Sequence, residues 1–155
     1  MYMHLIQVKS QEKLGALVEK IAPMELKQIL KSKQFKFKWN TESKYEVYKL
    51  YITESEEIVG LMSLQDWPKE LRLEIRLIES SKDNVGSHKK YDRIAGSLIA
   101  FACGTSFERG YNGFISLVPK TALRSYYINE YGMEEAGKSV YSDTRNSAKL
   151  LDKYL

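Results

Sequence analysis

The chain has 155 residues, 43% of them hydrophobic, 12% aromatic and 28% charged, with a mass of 18.0 kDa and a formal net charge of +4. That is enough chain for one domain over residues 1–155 with its own apolar core, and too apolar and too weakly charged for disorder. No stretch reaches the roughly 20 apolar residues of a membrane helix; the start MYMHLIQVKS reads as no signal peptide; and the lone Cys103 excludes a disulfide framework and suits a reducing, cytoplasmic compartment.

Alternation over His4–Lys9 predicts a strand. Ser10 then reads as a helix N-cap, and Leu14, Leu17, Val18 and Ile21 recur at helical spacing until Pro23, which predicts a helix. A second helix is expected over Met24–Lys31. Tyr45–Ile52 and Glu57–Leu64 predict two strands, joined across the acidic stretch Glu54–Glu57. The clearest alternation follows, with Leu71, Leu73, Ile75 and Leu77 on one face and Arg72, Glu74 and Arg76 on the other. After the polar loop SSKDNVGSHKKYD comes IAGSLIAFAC, apolar nearly all round, which predicts a helix laid against a sheet. A strand over Tyr111–Val118, a helix over Ala122–Glu130 stopped by Gly132, a strand near Lys138–Ser142 and a tail helix capped by Asp143 complete the chain. This order predicts an α+β (mixed α/β) fold with a mostly antiparallel sheet. The strands Leu71–Ile78 and Tyr111–Val118 should be parallel neighbours, joined by a helical crossover.

Charge is distributed unevenly. Residues 1–50 carry ten lysines against five glutamates, and the remaining residues are close to neutral. Four of those lysines fall in KSKQFKFKWN, where Phe35, Phe37 and Trp39 alternate with Lys36 and Lys38. Such a stretch is a solvated loop with partly buried aromatics, the rim of a substrate groove, or a stacking surface for single-stranded nucleic acid. The nucleic-acid partner is the least favoured of the three.

The segment KKYDRIAGSLIAFA, residues 89–102, leaves a strand through a polar loop and starts a helix with Ala95, Gly96 and Ser97. Small residues there admit a close neighbour to the backbone, and a helix N-terminus suits a phosphate anion. Lys89, Lys90 and Arg93 add positive charge at the same point. The alternative is that the small residues only permit tight helix–sheet packing.

The order of elements, the loop Lys90-Tyr91-Asp92-Arg93-Ile94-Ala95, the strand GFISLVP and the segment ALRSYYINEYGMEEAG together resemble the GCN5-related N-acetyltransferase (GNAT) superfamily. The resemblance implies a loop of the form Gln/Arg-x-x-Gly-x-Gly/Ala that cradles the pyrophosphate of acetyl-CoA. Lys90 replaces the first residue, and Arg93 replaces the first glycine and would crowd the loop. The loop between Glu79 and Lys90 is also longer than is common.

The function so implied is acetyl transfer from acetyl-CoA, as cosubstrate and with no metal, to a small-molecule or peptide amine. In cofactor binding it places Leu77, Ile78, Lys89, Lys90, Tyr91, Arg93, Ile94, Ala95, Gly96 and Ser97, with a backbone N–H near Leu77 or Ile78 polarising the thioester. It implies Glu79 as base, with Glu74 second. Its proton-donating tyrosine would fall at Ile128, so Tyr127 is preferred to Tyr126. Homodimers paired at sheet edges are common in the family. A non-catalytic acyl-CoA-binding or protein-binding domain of the same fold is the alternative. Cys103, inside the apolar helix, reads as core.

Overall fold

The computed structural model describes residues 2–155. Its strands are β1 (Tyr2–Gln7), β2 (Lys13–Ile21), β3 (Glu46–Ile52), β4 (Ile58–Trp67), β5 (Arg72–Ser80), β6 (Tyr91–Asp92), β7 (Ile115–Leu117), β8 (Glu134–Ala136) and β9 (Ser139–Ser142). They form one sheet in the order β6-β1-β2-β3-β4-β5-β7-β9-β8, in which only β5 and β7 run parallel. The helices are α1 (Pro23–Leu30), α2 (Ile94–Glu108), α3 (Arg124–Tyr131) and α4 (Thr144–Tyr154).

The predicted first helix is strand β2. KLGALVEKI satisfies both periods, but β1 and β3 lie on either side of it and pair with it throughout. Ala16 and Val18 then enter the main core. Gly15 weakens a helix and here lets Tyr2 lie across the strand, since a Cβ would meet its hydroxyl. Ser10 belongs to the turn, where its hydroxyl donates to the Gln7 side chain, and Gln11 adopts φ 62°. Long-range pairing has overridden local period.

Two apolar layers sandwich the sheet. On one face α2 and α4 cover the main core around Leu50, Met62, Leu73 and Leu98. On the other, α1 and the segment after it bury Leu26, Ile29, Phe35 and Trp39 against Val47 and Leu61. Asp143 caps α4, accepting from the Asn146 N–H at 2.8 Å.

Strand β5 does not keep one alternation. Leu64 pairs with Ile75 and Ser63 with Leu77, so Arg76 is the extra residue of a bulge. Leu73 and Ile75 therefore face the main core, whereas Leu77, expected beside them, turns to the opposite layer. The backbone groups change sides at the same point.

Candidate active site

β5 and β7 pair only from Leu73–Ile115 to Ile75–Leu117. Beyond that β5 runs on to Ser80 while β7 ends at Leu117, and a cleft of about 870 Å³ opens along β5, with Leu123, Tyr126, Glu130 and Tyr131 on its other side. Past the bulge, the Leu77 N–H donates to Ser63 Oγ (3.2 Å) and the Ser81 N–H to the Val59 carbonyl (2.8 Å), both towards β4. By strand alternation the N–H groups of Ile78 and Ser80 face the edge that β7 has vacated.

The N-terminus of α2 reaches the same cleft. Its first closing bond runs from the Ser97 N–H to the Arg93 carbonyl (3.0 Å), which leaves the N–H groups of Ile94, Ala95 and Gly96 without helical acceptors. All three residues line the cleft. Arg93, expected to crowd this loop, instead adopts the glycine-like φ of 79°. Its guanidinium donates to the carbonyls of His4 (3.2 Å) and Lys153 (2.7 Å) and lies over the Tyr154 ring. Gly96 is where α4 crosses, and a Cβ there would lie 2.2 Å from the Tyr154 ring.

The long loop is braced. Asn84, buried, accepts from the Tyr91 N–H (3.0 Å) and donates to Ser81 Oγ (2.8 Å). The Lys90 carbonyl accepts from the Val8 N–H, so Lys90, Tyr91 and Asp92 extend the edge of β1. Lys89 pairs with Asp92 at 2.7 Å.

Glu79 lies on the cleft with its carboxylate engaged by three donors. The Lys36 N–H (2.7 Å), the Phe37 N–H (3.1 Å) and the Trp39 indole (2.7 Å) all converge on it. The lysine-rich segment is thereby fastened to the end of β5, and the Lys82 N–H adds a bond to the Gln34 carbonyl. Phe35 and Trp39 are buried, so only Phe37 of the three aromatics presents its ring, under the Lys120 ammonium. No stacking surface for bases exists there. Glu74 accepts from the Trp67 indole (3.0 Å) instead of lining the cleft.

No protein-family model matches the sequence, and no curated protein matches it. Solved structures do. The spermidine N-acetyltransferase SpeG K23-Q34 chimera from Vibrio cholerae and hSSAT matches with TM-score 0.63 and 15% identity over 88% of this chain and 98% of that one. The IAA acetyltransferase from Bacillus cereus ATCC 14579 matches with TM-score 0.57 and 13% identity over 79% of each chain. AtaTR bound with AcCoA matches with TM-score 0.56 and 10% identity over 87% of this chain and 97% of that one. The chain has the GNAT fold.

Within this GNAT fold Leu123, just before α3, and Tyr126 and Glu130 on α3 line the cleft at i, i+3 and i+7 spacing, and the buried Tyr131 also touches it. Tyr127 and Ile128 pack against the main core. Burial and the neighbouring Tyr126 push the Tyr131 phenol above its ordinary value, and burial does the same for Tyr127. Cys103 is fully buried, and that burial pushes its thiol up to about 12.

Sequence reasoning passed over the polar group beneath the bulge. Glu42, buried, accepts from Ser63 Oγ (2.8 Å), Arg76 Nε (2.9 Å) and Thr41 Oγ1 (3.1 Å). Desolvation opposes its ionisation, but the bonds from Arg76, Ser63 and Thr41 prevail and hold the carboxyl below the usual range. Ser63 completes the chain by accepting from the Leu77 N–H. No local signal marks a lone Glu, Ser and Arg from three different elements as partners.

Proposed function

We propose that the protein is an N-acetyltransferase that moves an acetyl group from acetyl-CoA to an amine by direct attack. One observation carries this reading: the open edge of β5, with the N–H groups of Ile78 and Ser80 turned outward, leads to the bare N-terminus of α2. An extended pantetheine arm fits the edge as an added strand. The pyrophosphate fits the N–H groups of Ile94, Ala95 and Gly96, with Lys89 on the same cleft and Lys90 outside its lining. Arg93 holds the loop in shape and braces α4.

The amine nitrogen attacks the thioester carbon, the Ile78 N–H steadies the oxyanion, and the C–S bond then breaks. The proton lost by the amine goes to a carboxylate. Of the three acids on the cleft, Glu79 holds three N–H donors and Asp92 is paired with Lys89. Glu130 has no hydrogen-bond or ion partner among the described residues and takes this role, through water or directly. Glu79 fixes the segment that faces it. The leaving thiolate takes a proton from Tyr126, the half-exposed phenol on the cleft-facing stripe of α3.

The test is thiol release from acetyl-CoA over a panel of amines, with Tyr126→Phe, Tyr127→Phe, Glu130→Gln and Glu79→Gln. Tyr126→Phe and Glu130→Gln should each lower kcat about 10²-fold with little change in acetyl-CoA affinity, and Tyr127→Phe should lower it far less. Turnover unaffected by Tyr126→Phe and Glu130→Gln would remove both assignments. Absence of turnover with every amine would count against the activity itself.

A further inference from the structure

The proposed acetyl transfer leaves the acceptor's chemistry open, and the charge on the acceptor side addresses it. The α2 end of the cleft lies on the main-core face of the sheet, whereas the segment 34–39 lies on the opposite face, packed with α1. The cleft along β5 joins the two sides, since Lys36, Phe37, Ile94, Ala95 and Gly96 all line it. An amine that meets the thioester from the side opposite α2 therefore passes Lys36 and Phe37.

That side is strongly cationic. Lys36 and Lys82 line the cleft, Lys120 stands over Phe37, Lys38 lies in the segment and Lys33 precedes it; all are exposed. Among the described residues only Lys49 and Lys89 of the lysines form ion pairs, so these five are unpaired like most of the others; what they share is their place around one rim. The acid that would offset them, Glu79, faces three N–H groups of the same segment. It compensates backbone and indole dipoles and leaves the ammonium groups bare.

A polyamine acceptor needs the reverse arrangement, several free carboxylates spaced along its path. Here one free carboxylate on the cleft, Glu130, meets two unpaired lysines of this rim on the cleft, Lys36 and Lys82, with Lys33, Lys38 and Lys120 and the single exposed acid Asp83 beside them. We infer that the acceptor is an amine whose own molecule carries carboxylate or phosphate groups. Its anion rests on Lys36 and Lys82 while its amine is presented to the thioester, and polycationic amines are repelled from the same rim.

This inference rests on the cleft being an acetyl-transfer site, yet the rim can be tested without turnover. Backbone amide spectra of the full chain are titrated with O-phosphoserine, with phosphoethanolamine and with spermidine, in the presence and absence of acetyl-CoA. The two phosphorylated amines should move the amides of Lys36, Phe37 and Lys82, and spermidine should not. The double variant Lys36→Gln/Lys82→Gln keeps every backbone donor to Glu79 and should weaken the response about tenfold, at roughly threefold per exposed charge. Raising salt from about 50 to 200 mM should weaken it as well. Spermidine moving these amides, neither class moving them, or the double variant responding as the wild type would each overturn the inference. Loss of the acetyl-CoA response at Ile94–Gly96 alone would instead count against the transfer reading and leave the rim result standing.

Discussion

Trp39 and Glu79, forty residues apart, are joined by an indole-to-carboxylate hydrogen bond of 2.7 Å. Two further N–H groups of the same segment share that carboxylate, so one acidic side chain at the end of β5 sets the position of everything from Lys36 to Trp39. The strand edge and the lysine rim form one unit.

Removing the acceptor strands three donors. Glu79→Ala should destabilise the chain by about 3 kcal/mol, a fall in Tm of about 10 °C for a domain of this size. The amides of Lys36 and Phe37 should lose hydrogen-exchange protection, while those of β2 keep theirs. Unchanged protection at Lys36 and Phe37 would mean that the apolar contacts of Phe35 and Trp39 hold the segment without it.

Arg93 combines a strained backbone with a useful side chain. Arg93→Ala loses the bonds to His4 and Lys153 and keeps the left-handed φ. Arg93→Gly loses the same bonds and relieves the backbone. Glycine should therefore be the more stable of the two by about 1 kcal/mol, although it ordinarily weakens a folded chain. Paired urea melts decide it, and alanine equal to or better than glycine would refute the account.

Much of this was legible in the sequence. The strands Leu71–Ile78 and Tyr111–Val118 announced a parallel pair, the apolar all-round helix announced α2, and the small residues at 95–97 announced a close approach. The close approach is that of α4, since Gly96 lies against Tyr154, and Gly96 also lines the cleft. What stayed hidden depends on partners far away in the chain. β2 could not be told from a helix because its strand neighbours decide the matter. The bulge at Arg76 is invisible in an unbroken alternation, yet it turns Leu77 over and aims the Ile78 N–H outward. The engagement of Glu79 needs donors from residues 36–39, which no local pattern predicts.

The packing of Gly96 against Tyr154 should appear as a coupling. Gly96→Ala places a methyl within the ring's space and should destabilise by about 1–3 kcal/mol. In a Tyr154→Leu background the same change should cost close to nothing. Additive effects in this double-mutant cycle would show that α4 does not rest on Gly96.

Acid should act through two networks. Bonds from Arg76, Ser63 and Thr41 overcome desolvation to hold Glu42 low, and the bond from Arg109 leads in holding Glu46 low. A carboxyl depressed in the folded state stabilises above its unfolded value of about 4.5 and loses that contribution as pH falls through the folded value. The contribution of these two carboxyls should therefore be level from pH 7 to about 5 and decline below 4.5. His4, held below its ordinary value by burial and by Arg93 and Lys13, removes a separate contribution as pH falls below about 6.5. Glu42→Gln should lower the plateau and flatten the decline, since its contribution no longer titrates. Urea melts at stepped pH measure this, and an acid limb unchanged by Glu42→Gln would exclude that carboxyl as a contributor.

The most direct measurement is an amide-resolved titration of the chain with acetyl-CoA. The account predicts saturable binding of one molecule per chain, with the largest shifts at Ile78 and Ser80 on β5 and at Ile94, Ala95 and Gly96 at the start of α2. Saturable binding that leaves those five amides unmoved, or no binding at all, would contradict it.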